Sequence, residues 1–336
     1  MKRELLRYPT AGMDKNAWLR FRHRGLGASD IGTVFGYNQY KHKAELFYEK
    51  LEPVPEFTVQ TLRQYMGHKL EDPIADMWTY WDGIEESFLR NEVEGKVIRK
   101  CERVNCYIIN PKYPWLFCSL DRKINKGSRG EEGALEIKTI AGYESSKWET
   151  GIPPSHLMQV NDQMLICEFP FGELATLTDL NKFNVWPFEY NPIICNNIIE
   201  GTKHFWDTIV RGRMIKTQIY EATMSHNMRK VNDLQAELQM LEPEPDGSEA
   251  YEKFLKTRFK KSIAEIGLIK GTDADMQLAI QHAKIKEQMK RLEDDAREVE
   301  NRLKRRIGDG TALDFGKQGM VKWNGNPKTF RNLIKK

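Results

Sequence analysis

Two acids and a lysine stand at the ends of neighbouring apolar runs. Asp121 follows the run 115–120, and Glu136 and Lys138 alternate with apolar residues in the run 134–138. Turn residues between the runs predict a hairpin of two adjacent strands, with Asp121 at the end of the first. Because strand side chains alternate between faces, Glu136 and Lys138 share one face and their apolar neighbours face the core. Two carboxylates and an ammonium group therefore converge.

This set suits hydrolysis of a phosphodiester, which needs an activated water near neutral pH and a counter-charge for the leaving oxygen. Mg²⁺ takes oxygen ligands and keeps several waters, so Asp121, Glu136 and the backbone carbonyl of Ile137 are sufficient protein ligands. Lys138 can position or deprotonate the attacking water and offset charge on the phosphate. The same pattern is also typical of a surface hairpin with a solvated Glu–Lys pair.

Two other segments offer polar groups to such a site. The segment 156–165 predicts a helix with Gln159 and Gln163 on one face, where amides can contact phosphate or the attacking water. The segment 67–75 predicts the start of a helix with Glu71 in its first turn, where the helix dipole favours an acid. Structural amides and simple helix capping are the alternative interpretations.

Three arginines near the amino terminus precede a glycine-rich turn. Arg22 stands seven residues before Ser29, which is placed to be the N-cap of the next helix. Free N–H groups, a hydroxyl and guanidinium forks together form a phosphate pocket. A capped helix with exposed arginines is the alternative.

Composition restricts the class of protein. The chain has 336 residues, 40% of them hydrophobic, and 52 Lys and Arg against 48 Asp and Glu, which is typical of a globular protein rather than a disordered one. No apolar run reaches the length of a membrane span, and no apolar signal core follows the start, so a cytoplasmic protein without membrane partners is expected. The five cysteines show no CxxC spacing, which indicates neither a disulfide framework nor a zinc ribbon.

The composition of the sequence predicts three regions. Residues 1–218 mix apolar runs, aromatics, Gly and Pro as an α/β or α+β domain does. Residues 219–307 are poor in aromatics and carry heptad seams at 224–241 and 278–303, which predict a helical hairpin or coiled-coil arm. These seams can bury against each other or against another subunit. Residues 308–336 predict a small β-hairpin.

Several ordered segments together resemble the phage lambda-type exonuclease family, including YqaJ-type viral recombinases, within the PD-(D/E)xK nuclease superfamily. The resemblance covers about residues 15–170 and is carried by Trp18, Arg22, Gly27-Ala28-Ser29-Asp30, the block Gly67 to Glu71, Ser119-Leu120-Asp121, Leu135-Glu136-Ile137-Lys138 and Gln159-Val160. It implies a restriction-endonuclease-like core with a central mixed sheet flanked by helices.

The resemblance also implies site roles. Asp121 and Glu136 would bind Mg²⁺, as two ions that Mn²⁺ can replace, and Glu71 would complete the acidic site. Lys138 would be the catalytic lysine, and Gln159 would lie near the catalytic water. Arg22 and Ser29 would receive the 5′-phosphate of a DNA end.

The implied activity is 5′-to-3′ digestion of one strand of linear double-stranded DNA by a phage or prophage protein. The 3′ overhang would be loaded with a single-strand annealing protein, and family members form ring-shaped trimers. A structure-specific or restriction-type endonuclease and a catalytically silent DNA-binding scaffold are the alternatives. Leu120, Arg122, His156 and Asn161 depart from the family, which usually has proline, glycine, an aromatic residue and glutamine there.

Overall fold

The computed structural model describes residues 4–54, 61–125, 130–260, 267–324 and 329–334, with backbone only at 324 and 329–334. The chain divides into two compact units, Met1–Lys260 and Lys261–Lys336. None of the described helices combines the length and apolar character needed to cross a membrane.

Helices make up much of both units. Their bounds are α1 Lys15–Arg22, α2 Ala28–Val34, α3 Lys43–Leu51, α4 Leu62–Tyr80, α5 Glu85–Val93, α6 Pro154–Cys167, α7 Pro192–Met224, α8 Met228–Gln239, α9 Glu249–Arg258 and α10 Asp273–Ile307. The strands of the first unit are β1 Leu6–Pro9, β2 Leu26–Gly27, β3 Cys101–Glu102, β4 Cys106–Ile109, β5 Leu116–Phe117, β6 Arg122–Ile124, β7 Gly133–Ile140, β8 Phe171–Thr178 and β9 Lys182–Glu189. Those of the second unit are β10 Ala312–Asp314, β11 Gly319–Asn324 and β12 Thr329–Ile334.

A five-stranded mixed sheet forms the centre of the first unit, in the order β3-β6-β7-β8-β9. Strands β7 and β8 are parallel, and the other neighbouring pairs are antiparallel. Parallel strands need a crossover connection, and α6 lies between β7 and β8 in the chain. The expected mixed α/β core with a central mixed sheet is thereby confirmed.

The two faces of β7 differ as the alternation of its residues predicts. Leu135 and Ile137 are buried in an apolar cluster with Ile74 and Trp78 of α4. On the opposite face, α6 packs on the sheet and buries an apolar cluster that includes Val160. Glu136 and Lys138, which alternate with these residues of β7, therefore lie on the face that α6 covers.

The strand that pairs with β7 in the hairpin differs from the sequence prediction. The run 115–120 forms only β5, which pairs in parallel with β2 in a separate small sheet. Strand β6 is the antiparallel partner of β7, with Arg122 opposite Leu135. Asp121 therefore directly precedes β6, in the connection from β5, and still lies beside β7.

The helix carrying Glu71 begins earlier than predicted. Helix α4 starts at Leu62 because the Thr61 side chain caps it, and Gln64 returns a hydrogen bond to the Thr61 N–H. This is a capping box, whereas the prediction took Gly67 as the start. Glu71 is therefore a mid-helix residue, and the argument from the helix dipole does not apply to it.

The predicted core boundary at residue 218 falls inside α7, and the first compact unit continues to residue 260. Val231 and Leu234 of α8 pack against α7, and α9 packs on α3 through an apolar cluster. The second unit contains α10 and a three-stranded antiparallel sheet, β10-β11-β12. The sheet includes the expected tail hairpin, β11 with β12, and adds a strand before it.

Candidate active site

Asp121 and Glu136 lie side by side where β6 meets β7. The backbone N–H of Ile137 donates to Oδ2 of Asp121 at 2.9 Å, which fixes this carboxylate against β7. Burial, and then the negative charges of Glu136 and Glu71, raise the pKa of Asp121 well above its usual value. The site therefore carries more negative charge than its own cation neutralises.

Glu136 is almost fully buried, with 1% of its surface exposed. Its Oε1 accepts hydrogen bonds from Nζ of Lys138 and, at 2.5 Å, from Nε2 of Gln159. Its Oε2 accepts from Nε2 of Gln163 at 2.6 Å. Three donors on one carboxylate hold it in a single orientation, as a buried charge requires.

Lys138 is the cation of this group. Burial alone lowers the pKa of Lys138, but the charges of Glu136, Asp121 and Glu71 outweigh burial, so the net shift is upward. Lys138 is therefore protonated at neutral pH. It is arranged to donate hydrogen bonds and offset negative charge rather than to accept a proton.

Glu71 contributes charge to the site from α4. Its negative charge acts on both Asp121 and Lys138, while its Oε1 lies 2.8 Å from Nδ1 of His68. The structure thus brings Glu71 into the electrostatic neighbourhood of the site, with one oxygen engaged by its own helix.

Metal binding can be tested against the donors present. Within the described residues, no three side chains from His, Cys, Asp and Glu are gathered into a metal-binding group. The donors that do converge are two carboxylates, those of Asp121 and Glu136, next to the backbone of Ile137. This oxygen set, with excess negative charge, fits a hard divalent cation that keeps several waters.

The structure also brings Arg22 and Ser29 together, about a second polar centre. Nη2 of Arg22 lies 3.3 Å from Oγ of Ser29 and 3.1 Å from Oδ1 of Asp30. Nζ of Lys50 reaches the other oxygen of Asp30 at 3.1 Å. Burial alone raises the pKa of Asp30, but the charges of Lys50 and Arg22 bring it well below its usual range.

Ser29 is not the N-cap that the sequence predicted. Gly27 occupies the N-cap position of α2, and its N–H donates to Oδ2 of Asp30 at 3.0 Å. Ser29 is an exposed residue within the first turn. Two cations against one carboxylate leave this centre with a net positive charge, next to an exposed hydroxyl and the ring of Trp18, whose centroid lies 5.1 Å from the Arg22 guanidinium.

The family comparison matches the amino-terminal half of the chain. Residues 17–170 match the model of the YqaJ-like viral recombinase domain. This chain is therefore similar to YqaJ-like viral recombinase domains over residues 17–170. The resemblance noted in its sequence motifs is thereby confirmed, over nearly the same residues.

Known proteins similar to this YqaJ-like chain include a bacterial relative and a solved nuclease. The chain is 29% identical to the uncharacterized protein YqaJ of Bacillus subtilis (strain 168) over 298 residues, covering 88% of this chain and 79% of the relative. The alkaline exonuclease LHK-Exo of Laribacter hongkongensis is 19% identical, with a TM-score of 0.42 over 65% of this chain and 98% of the nuclease. Its complex with dAMP gives 17% identity, a TM-score of 0.45, and coverage of 63% and 98%.

Two departures of this YqaJ-like domain from the family pattern have structural roles. Arg122, which replaces the usual glycine, is buried, donates to the backbone carbonyl of Asp121 at 2.6 Å and forms an ion pair with Asp72 of α4. His156 stacks on Trp148 with ring centroids 5.2 Å apart. Burial, and then the charge of Lys138, lower the pKa of His156 to about 3, so a neutral aromatic ring remains at this position.

A further departure, Asn161, does not bond to the acidic group. Its Nδ2 donates to the carbonyl of Leu157 within the same helix. Sequence reasoning missed the direct contact of Gln163 with Glu136, although the four-residue spacing from Gln159 marked both amides. It also missed the ion pairs that Asp30 forms with Arg22 and Lys50. The second of these joins residues that are distant in the sequence.

Proposed function

We propose that this YqaJ-like protein is a Mg²⁺-dependent DNA exonuclease that hydrolyses phosphodiester bonds of linear double-stranded DNA. The observation that carries this proposal is the convergence of Asp121, Glu136 and Lys138 beside β7, the middle strand of the central sheet, with Glu136 held by two amides of α6. The similarity of residues 17–170 to a viral recombinase domain supports DNA as the substrate. The core is then a PD-(D/E)xK nuclease core.

Asp121, Glu136 and the carbonyl of Ile137 would hold the cation, as one ion or as a pair with Glu71 nearby, and Mn²⁺ would replace Mg²⁺. The raised pKa of Asp121 supports this assignment, because a proton there neutralises charge that a cation would otherwise neutralise. A bound divalent ion would lower the pKa of water and offset charge on the leaving oxygen. Glu136 is held in place for this task by its three hydrogen bonds.

Lys138 and Gln159 act on the substrate side of Glu136. The protonated Lys138 would pair with a phosphate oxygen and orient the attacking water, since its pKa favours the charged form. Gln159, which is only partly buried, would contact the same water with its remaining amide groups. Each of these residues also donates to Oε1 of Glu136, so their positions are mutually fixed.

The centre at Arg22 and Ser29 would bind the 5′-phosphate of a DNA end. Its net positive charge, exposed hydroxyl and guanidinium group are the features of a phosphate site. Engagement of the 5′ end would give 5′-to-3′ polarity and leave a 3′ overhang. A single-strand annealing protein would take up that overhang in the bacterial cytoplasm, and a ring-shaped trimer would keep the enzyme on its DNA.

The experiment uses linear duplex DNA labelled at either the 5′ or the 3′ end, beside a closed circle, with Mg²⁺ or EDTA. Release of 5′-labelled mononucleotides from linear DNA with Mg²⁺ alone is the expected result. Cutting of the closed circle would instead support a structure-specific or restriction-type endonuclease. DNA binding without cleavage in Mg²⁺ or Mn²⁺ would support a silent scaffold.

A further inference from the structure

The long helix α10 carries an apolar seam that is mostly exposed in the part of the chain that the structure describes. Its 35 residues repeat apolar side chains over four heptads, and most of these are exposed: Leu278 at 64%, Ile285 at 47%, Met289 at 47%, Leu292 at 67% and Val299 at 58%. Isolated helices gain most of their stability from packing one face. A seam this regular indicates a partner helix.

The positions of the seam follow the heptad convention. Leu278, Ile285, Leu292 and Val299 occupy the d positions, and His282, Met289, Ala296 and Leu303 occupy the a positions. Flanking e positions hold Ala279, Lys286, Glu293 and Glu300, and flanking g positions hold Gln281, Gln288, Asp295 and Arg302. These flanks decide which orientation of a second helix is favourable.

A parallel pair of α10 helices is disfavoured by its flanks. In a parallel coiled coil a g residue faces the e residue five positions further along the other chain. Asp295 would then face Glu300 of the second copy, twice by symmetry, and no pair of opposite charges would compensate. Like-charge contacts of this kind oppose association.

An antiparallel pair is favoured by the same residues. If Met289 of one chain packs against Leu292 of another, Leu278 meets Leu303 and Ile285 meets Ala296, so apolar side chains fill these layers. In the remaining layer His282 meets Val299. In that register the e positions face each other, and Lys286 of each chain faces Glu293 of the other. In the described part of the chain neither Lys286 nor Glu293 has an ion-pair partner, whereas Arg291 and Arg297 do.

The other heptad seam of this chain is packed within the first unit. Val231 and Leu234, which belong to the seam at 224–241, are buried against Ile215 and Ala222 of α7. This apolar face of α8 is therefore covered within the first unit. A second copy of α10 matches most of the seam with apolar layers, and it matches Lys286 with Glu293.

We infer that α10 pairs with α10 of a second copy of this chain as an antiparallel two-fold coiled coil, aligned by reciprocal Lys286–Glu293 contacts. The pairing is independent of the proposed nuclease chemistry, and in a ring-shaped trimer each α10 would pair with an α10 of a second ring. It would join two copies through a segment outside the YqaJ-like domain at residues 17–170.

Charge substitutions in the full-length protein test both the surface and its orientation. Lys286→Glu and Glu293→Lys each replace two attractive contacts by two like-charge contacts, so each variant alone should associate at least about tenfold more weakly in sedimentation equilibrium. An equimolar mixture of the two single variants should recover association, because opposite charges then face each other across the pair. The double variant Lys286→Glu/Glu293→Lys should also associate like the wild type.

Ile285→Asp should abolish the pairing, because it places a charge within the apolar seam. Far-UV circular dichroism identifies any variant that loses its fold. Wild-type association in both single charge variants would overturn the inference. So would an equimolar mixture that stays dissociated, because that result excludes the antiparallel contact. A wild-type protein that is monomeric at high micromolar concentration would overturn it as well.

Discussion

Nε2 of Gln163 donates to Oε2 of Glu136 over 2.6 Å, at a place where both side chains are shielded from solvent. Gln159, one helical turn earlier, donates a hydrogen bond to the other oxygen of the same carboxylate. Helix α6 thereby fixes the rotation of Glu136 and leaves Gln163 outside the reach of substrate. Gln163 is therefore a positioning residue for the acid that we propose binds the cation.

Gln163→Leu should lower kcat by about ten- to a hundredfold, because positioning groups behind a metal ligand typically contribute that much. It should also cost roughly 1–3 kcal/mol of unfolding free energy, since one buried carboxylate oxygen loses its donor. Nucleotide release and urea unfolding measure the two effects. Asn161→Leu is the matched control, because this buried amide of α6 donates only within its own helix; equal loss of activity in both variants would contradict the assignment.

His156→Phe should keep activity and change the acid side of the stability profile. The pKa of His156 is about 3 in the fold, against 6.5 in the unfolded chain, so the fold binds fewer protons. The stability tied to neutral His156 is complete above pH 6.5 and is lost as the pH falls from 6.5 toward 3. At pH 5 the loss is at most about 2 kcal/mol.

Thermal unfolding at pH 5 and pH 7.5 checks this expectation. His156→Phe should gain stability relative to the wild type at pH 5 and show little difference at pH 7.5. His204→Phe, at an exposed position of α7, controls for the loss of an imidazole. An unchanged acid profile in His156→Phe would contradict the role of His156 as a neutral aromatic ring.

Local periodicity made part of this site predictable from sequence. The two-residue alternation of β7 placed Glu136 opposite the core face, and the helical spacing of α6 placed Gln159 and Gln163 together. Contacts between distant residues could not be read in this way. Arg122 forms an ion pair with Asp72, fifty residues away in the sequence. The cap of α4 at Thr61 lies before the segment in which the helix was expected.

Arg22→Ala should weaken the preference for 5′-phosphorylated over 5′-hydroxyl DNA ends, because the guanidinium group is the more accessible cation of the Arg22–Asp30–Lys50 centre. Initial digestion rates on the two kinds of end give the preference directly. Arg20→Ala, two residues earlier on α1 and exposed, should retain it. Equal digestion of both kinds of end by the wild-type enzyme would contradict the assignment of a 5′-phosphate site to Arg22 and Ser29.

The central claim is that Asp121, Glu136 and Lys138 form a hydrolytic centre, and the sharpest measurement is the rate of nucleotide release by Glu136→Gln. This variant keeps the shape of the side chain and removes its charge, so release from linear duplex DNA in Mg²⁺ should fall by about a thousandfold or more. Asp76→Asn, an exposed acid on α4, should retain the wild-type rate. A folded Glu136→Gln protein that releases nucleotides as fast as the wild type would contradict the account.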